Sequence, residues 1–245
     1  MNANTQSKLK TLFTSLTPGS PLTSEDLAAL GISADLAVYY VRTGWLKRLA
    51  RGVFCHPSHD LELHPCLRLM QRKIPGVHVG GKTALEWHNI RQYLLPKPVV
   101  MLYGPNSGSL PDWFLQRFTA QYHRKRLFDE DPAALQDVRP FEGEDNSPHV
   151  SVPERALLEM LSEVGLRQSL QEARELTEGS YNLRADVLNE LLQRCKSIKT
   201  VRLCIQLGRE AELPWFSKLD TDKLPTGSKR PWVSKLPDGI LVLKP

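Results

Sequence analysis

Between residues 7 and 54 the apolar positions change period twice, and the changes mark out a small domain. Leu9, Leu12, Phe13 and Leu16 recur at helical spacing, predicting a helix from Ser7 to Leu16 that Thr17-Pro18-Gly19 closes. Ser24 is placed to cap a second helix, which carries Leu27, Ala28 and Leu30 and ends at Gly31. Ser33 offers another N-cap only two residues later, so the next helix must turn sharply against the one before. That helix runs towards Gly44 with Leu36, Ala37, Tyr40 and Val41 on its buried side, and Asp35, Tyr39, Arg42 and Thr43 largely on the opposite side. Beyond Gly44 the period shortens to that of strands: Trp45, Leu46 and Leu49 interleave with Lys47 and Arg48, and Arg51-Gly52 turns the chain into Val53-Phe54. A helix-turn-helix followed by a basic hairpin is a winged helix, whose physical use is to read duplex DNA. Asp35, Tyr39, Arg42 and Thr43 are the candidate base readers. Ser33 sits near a phosphate, and Lys47, Arg48 and Arg51 are the candidate backbone or minor-groove contacts of the wing.

His56-Pro57-Ser58-His59-Asp60 reads as a linker, which puts a domain boundary near residue 60. The pattern then mixes periods. A helix is expected over Leu61–Lys73, a short strand at Val77–Val79, a helix over Thr83–Ile90 and an apolar strand over Pro98–Tyr103. Residues 113–127 are basic and aromatic, and 129–149, acidic with three prolines, read as a loop-rich excursion. From Ser151 the chain turns helical. Ser151-Val152-Pro153-Glu154 has capping-box spacing ahead of Leu157, Met160, Leu161 and Val164. Further helices are expected at 166–177, 184–195 and 198–209, before a closing strand at Ile240–Leu243. The fold class is α+β: a winged helix over 1–60, then a mixed α+β domain over 61–245 ending in several helices.

The string Gly44-Trp45-Leu46-x-x-Leu49-x-x-Gly52-Val53-Phe54 resembles the N-terminal winged helix of AbiEi-type antitoxin regulators, the antitoxin half of a bacterial type IV toxin–antitoxin pair. Val79–Leu85, Pro153–Glu159, Val201-Arg202-Leu203, Pro214-Trp215 and Gly227-Ser228-Lys229-Arg230 are similar to that family's second domain, in order along the chain. The resemblance implies a repressor of its own operon that binds promoter inverted repeats and counteracts a nucleotidyltransferase toxin through its C-terminal domain. With no G-x-S-x-G, no H-E-x-x-H and no nucleophile–base spacing in the sequence, no enzyme is expected. The alternative from the residues alone is a stand-alone winged-helix transcription factor whose second domain senses a ligand or partner.

Charge sharpens this picture. The net +5 is segregated: residues 61–128 hold ten Lys/Arg against three Asp/Glu, and residues 129–190 hold five against fifteen. Basic segments suit a polyanion, which would repel the acidic block. On the predicted helix over 198–209, Lys199, Arg202 and Arg209 stand at steps of three and seven. With Lys229 and Arg230 they form the candidate second surface for DNA or a toxin.

Three chemical motifs fail on inspection. Gly76–Thr83 matches the G-x-x-x-x-G-K-[ST] phosphate loop, but LRLMQRK before it is helical and basic rather than a buried strand, and no apolar run ending in Asp follows. Cys55, His56, His59, His64 and Cys66 cluster without a zinc spacing. Gly108-Ser109 with Asp129-Glu130-Asp131 is too widely spaced, on too hydrophilic a loop, for a metal-binding carboxylate pair. No cofactor or metal is expected. With no signal-peptide pattern and no run of the length a membrane helix needs, the chain is expected to be cytoplasmic with reduced cysteines.

Overall fold

The computed structural model describes residues 3–90, 99–129, 137–144, 147–236 and 239–244. Helix α1 (Ala3–Ser15) is followed by β1 (Leu22–Thr23), α2 (Ser24–Ala29), α3 (Ala34–Arg42), β2 (Lys47–Ala50) and β3 (Val53–Cys55). The three strands form an antiparallel sheet in the order β1-β3-β2, so the element order is that of a winged helix. The wing has a strand the sequence pattern missed: β1 is two residues long, below the length at which alternation can be recognised.

β1 also moves the cap of α2. Thr23, rather than Ser24, is the N-cap, because the end of a strand already has the extended φ/ψ of −96° and 166° that a cap requires. Its Oγ1 accepts the Asp26 amide at 3.1 Å, and the Asp26 carboxylate accepts the Thr23 amide at 2.8 Å. This is a capping box closed by Asp in place of Glu. Gly31 and Gly44 end α2 and α3 at φ of +72° and +78°, and Ser33 caps α3. Leu9, Leu12, Leu27, Ile32, Ala37, Tyr40, Leu46 and Phe54 make the small core.

The second part is built on a mixed five-stranded sheet in the order β6-β5-β4-β8-β7. Its elements are α4 (Leu63–Lys73), β4 (His78–Val79), α5 (Gly81–Trp87), β5 (Val100–Gly104), α6 (Asp112–Leu115), β6 (Ala120–Arg124), β7 (Val138–Pro140) and β8 (His149–Ser151). Pro98, expected to open the apolar strand, lies outside the described residues. So do 130–136 and 145–146 of the acidic segment. Its remainder is not all loop: β7 and the start of β8 pair antiparallel, with Pro140 on the edge strand, where a missing amide donor is tolerated.

Helices α7 (Pro153–Ser162), α8 (Leu170–Glu178), α9 (Ala185–Gln193) and α10 (Ile198–Glu210) follow, and a hairpin of β9 (Trp232–Leu236) and β10 (Gly239–Leu243) comes last. In α7 every residue from Glu154 to Ser162 is buried, so the expected apolar stripe is a whole circumference. The capping box expected there does not form. Val152 is the N-cap, the Ser151 hydroxyl donates to Glu159 at 2.8 Å, and Glu154 takes the Arg184 guanidinium. The two hydrophobic clusters meet in β3: Val53 belongs to the large one and Phe54 to the small one, because successive strand residues point to opposite faces.

Candidate nucleic-acid interface

Helix α3 is aimed by its own first turn. Ile32 is buried beneath it, and the Ser33 hydroxyl accepts the Leu36 amide at 3.3 Å. Asp35, Val38 and Arg42 then follow at steps of three and four along one strip of the helix, and all three are exposed. Tyr39 is half-buried, with the Arg42 guanidinium 5.7 Å from its ring centroid. Thr43 is exposed, but its hydroxyl donates to the Tyr39 carbonyl at 2.8 Å. Thr43, an expected reader, and Ser33, the expected phosphate neighbour, therefore turn their hydroxyls to their own helix, while Asp35 and Arg42 are the charged groups that stand exposed.

Val38 is what the sequence reading missed. It is 63% exposed, midway between Asp35 and Arg42. A helical wheel places it there, but an aliphatic residue was not counted among the readers, although a thymine methyl calls for one.

On the wing, Lys47, Arg48 and Arg51 are all exposed. The ladder shifts register between Arg48 and Ala50, and such a bulge bends the strand and increases its twist. Gly52 turns the tip at φ +71°, and its carbonyl accepts the Ser24 amide at 3.0 Å, tying the wing to the start of α2. A concavity of about 460 Å³ lies between α2, α3 and the wing. Ser33, Arg42 and Arg48 line it over an apolar floor that includes Ala37, Val38 and Val41. Lys47 and Arg51 lie outside its lining.

The late basic residues do not share a face. Arg202 is 3% exposed and donates to the carbonyls of Thr226 at 2.6 Å, Arg230 at 2.8 Å, Leu243 at 3.3 Å and Ser228. Lys199 donates to the Ser162 and Val164 carbonyls at 2.9 and 2.8 Å, capping the end of α7, and burial lowers its pKa. Helical spacing put these two on one side correctly, but the chain tail and α7 cover that side. Arg209, over the Phe216 ring, Lys229 and Arg230 remain exposed.

The phosphate-loop look-alike is filled from within. The Gly81 amide donates to Glu159 at 3.2 Å, the Gly80 amide to the Met101 carbonyl at 3.0 Å, and Lys82 to Glu172 at 2.9 Å. Glu159 is also held by His78, Arg155 and Ser151. Burial raises its pKa, but His78 and Arg155 outweigh that and bring it to about 2, so a carboxylate anion stands where a phosphate would. The histidine–cysteine cluster disperses: His56 stacks on His59 at 4.2 Å, His64 lies against Trp87 at 4.7 Å, and burial raises the Cys66 thiol to about 12. Asp129 pairs with Lys196 at 2.6 Å, while Glu130 and Asp131 fall outside the described residues.

Comparison with known proteins bears on the same surfaces. Residues 5–95 match the family described as "Transcriptional regulator, AbiEi antitoxin N-terminal domain", and residues 97–244 match "Transcriptional regulator, AbiEi antitoxin, Type IV TA system". No curated protein sequence matches. The crystal structure of the RV2827C protein from Mycobacterium tuberculosis is similar in fold, with a TM-score of 0.58 at 15% identity over 96% of this chain and 90% of that one. Among the described residues no helix is long and apolar enough to cross a membrane. A winged helix with an outward cationic face, followed by an α+β part, and two family matches that together span residues 5–95 and 97–244, place the protein: the chain belongs to the AbiEi antitoxin family of transcriptional regulators of type IV toxin–antitoxin systems.

Proposed function

We propose that the chain binds inverted repeats in its own promoter through α3 and the wing, represses its operon, and counteracts a co-transcribed nucleotidyltransferase toxin through residues of its second domain. One observation carries the DNA half. Arg42, Lys47, Arg48 and Arg51 are all exposed on a single winged helix, and among the described residues none of them has a carboxylate partner. Cations without carboxylate partners on an exposed helix and hairpin tip are what neutralise the phosphates of a duplex groove, releasing its counterions. Val38 and Arg42 are assigned to base edges, and Lys47 and Arg48 to the backbone. The toxin-facing role rests on membership of the family. Arg209, Lys229 and Arg230 are the exposed basic residues available to it or to a second stretch of DNA.

The two roles separate in one experiment on the full-length chain. Arg42, Lys47 and Arg48 are replaced together by alanine, and the variant is scored for promoter binding by mobility shift and for rescue of cells expressing the neighbouring toxin gene. Lost binding with intact rescue supports a division between the two domains. A wild-type chain that shifts no promoter fragment even at low salt overturns the DNA half.

A further inference from the structure

The wing turn has two sides. On one lies the concavity under α3; on the other, sharing Ser24 and Gly52 with it, lies a second concavity of about 410 Å³. Its walls are the start of α2, the wing turn, and the last turns of α4, which contribute Leu69, Arg72 and Lys73. It therefore joins the winged helix to the first helix of the larger core, on the side of the wing away from α3.

Its charge is uneven. Arg51 and Lys73 are exposed, and among the described residues neither forms an ion pair. Arg72 is already spent: its two terminal nitrogens donate to the two oxygens of Asp26 at 3.1 Å each. Asp26 is also the capping-box carboxylate of α2, so the clasp fixes the end of α4 against the helix-turn-helix. Burial raises the Asp26 pKa, but the Arg72 and Thr23 hydrogen bonds outweigh that and hold it at about 2, which keeps the clasp charged. The remaining acid on the walls is Glu25. Two free cations face one free carboxylate in a cleft continuous with the DNA-reading face.

We infer that the DNA interface continues past the wing into this cleft, where Arg51 and Lys73 together hold a backbone phosphate of the flanking duplex. The inference rests on the DNA-binding reading above and adds to it a contact from the larger core. Such a contact is independent of sequence: it sets how the duplex lies across the junction and lengthens the protected site. The clasp supplies the rigidity, because Lys73 could not be held in register with the wing if α4 moved freely against α2.

The test is affinity of the full-length chain for its promoter duplex as a function of salt, for wild type, Lys73→Ala, Glu25→Gln and the Lys47→Ala/Arg48→Ala double variant. Loss of one phosphate contact lowers the slope of log K against log salt by about 0.9. Lys73→Ala is expected to do this, and Glu25→Gln to tighten binding at low salt. If Lys73→Ala and Glu25→Gln match wild type while Lys47→Ala/Arg48→Ala still lowers the slope, the cleft contact is wrong and the reading of α3 and the wing stands. If wild type binds no DNA, both fall. Shortening the duplex on the cleft side gives an independent check: the difference between Lys73→Ala and wild type should vanish.

Discussion

Glu159 Oε2 accepts the backbone amide of Gly81 at 3.2 Å, across 78 residues of sequence. The other oxygen meets His78 Nε2 and Arg155 Nε, each at 2.9 Å, and the Ser151 hydroxyl completes the set at 2.8 Å. One carboxylate thus holds β4, the start of α5, the end of β8 and α7 in a single arrangement, and Glu159 is 2% exposed. Replacing it by alanine removes the carboxylate that His78, Arg155, the Ser151 hydroxyl and the Gly81 amide share in a buried site. The expected loss is about 3–5 kcal/mol of unfolding free energy, read from urea denaturation. A loss below about 1 kcal/mol would show that water reaches the site and replaces the carboxylate.

Acid should act on the same region. Glu163, held by His123, Lys125 and Arg167, resembles Glu159: burial raises its pKa, and the His123 and Lys125 contacts outweigh that to bring it to about 2 from an ordinary 4.5. A carboxyl with a lower pKa folded than unfolded stabilises the fold above the unfolded value, and that contribution is lost as pH falls through the folded value. The two glutamates should therefore hold the second core from neutral pH down to about 4.5 and release it between there and about 2. A tryptophan-fluorescence titration follows this, with Trp113 and Trp215 as the buried reporters among the chain's five tryptophans, and the Glu163→Gln variant should show a shallower acid transition.

Arg202 gives a sharp contrast with its exposed neighbours. Truncation to methionine leaves the Thr226, Ser228, Arg230 and Leu243 carbonyls without their shared donor. A cost of about 2–4 kcal/mol is expected, together with faster amide exchange over residues 226–236 and 239–243. Arg209→Ala, Lys229→Ala and Arg230→Ala should each stay within about 0.5 kcal/mol of wild type. Equal effects from all four would contradict the burial of Arg202.

On the proposed DNA face, Val38→Asp would place a like charge against phosphate at an exposed position. It should abolish promoter binding with a melting curve unchanged from wild type. Arg42→Ala should narrow the gap between promoter and scrambled duplex by about 1–3 kcal/mol if it reads a base. If affinity for both duplexes falls equally, Arg42 is a backbone contact instead.

How far could the chain be read before its fold was seen? The helices of the winged helix were legible because Gly31, Ser33 and Gly44 are local signals, and a cap or a positive φ needs no distant partner. The exposure of Lys47, Arg48 and Arg51 was legible for the same reason, since a hairpin keeps its own tip in solvent. The errors share a cause as well. Thr23 took the cap from Ser24 because β1 pairs with β3, a contact 30 residues away that periodicity does not carry. Ser151 and Glu154 left their box for Glu159 and Arg184, and Arg202 turned inwards to a tail 24 to 41 residues on. Helical spacing tells which residues share a side of a helix. What covers that side is decided by tertiary packing, and charged residues are where the default assumption of exposure misleads.

Helix α7 and the cap residue that ends it carry three glutamates that each fasten a different neighbour: Glu154 the start of α9, Glu159 the sheet, and the C-cap Glu163 strand β6. All three are buried beyond the reach of mobile ions, whereas the cations of the wing stand in open solvent. Concentrated salt should consequently strip nucleic acid from the protein long before it loosens the scaffold, so a high-salt wash yields the bare, folded regulator ready to be returned to its operator by dialysis.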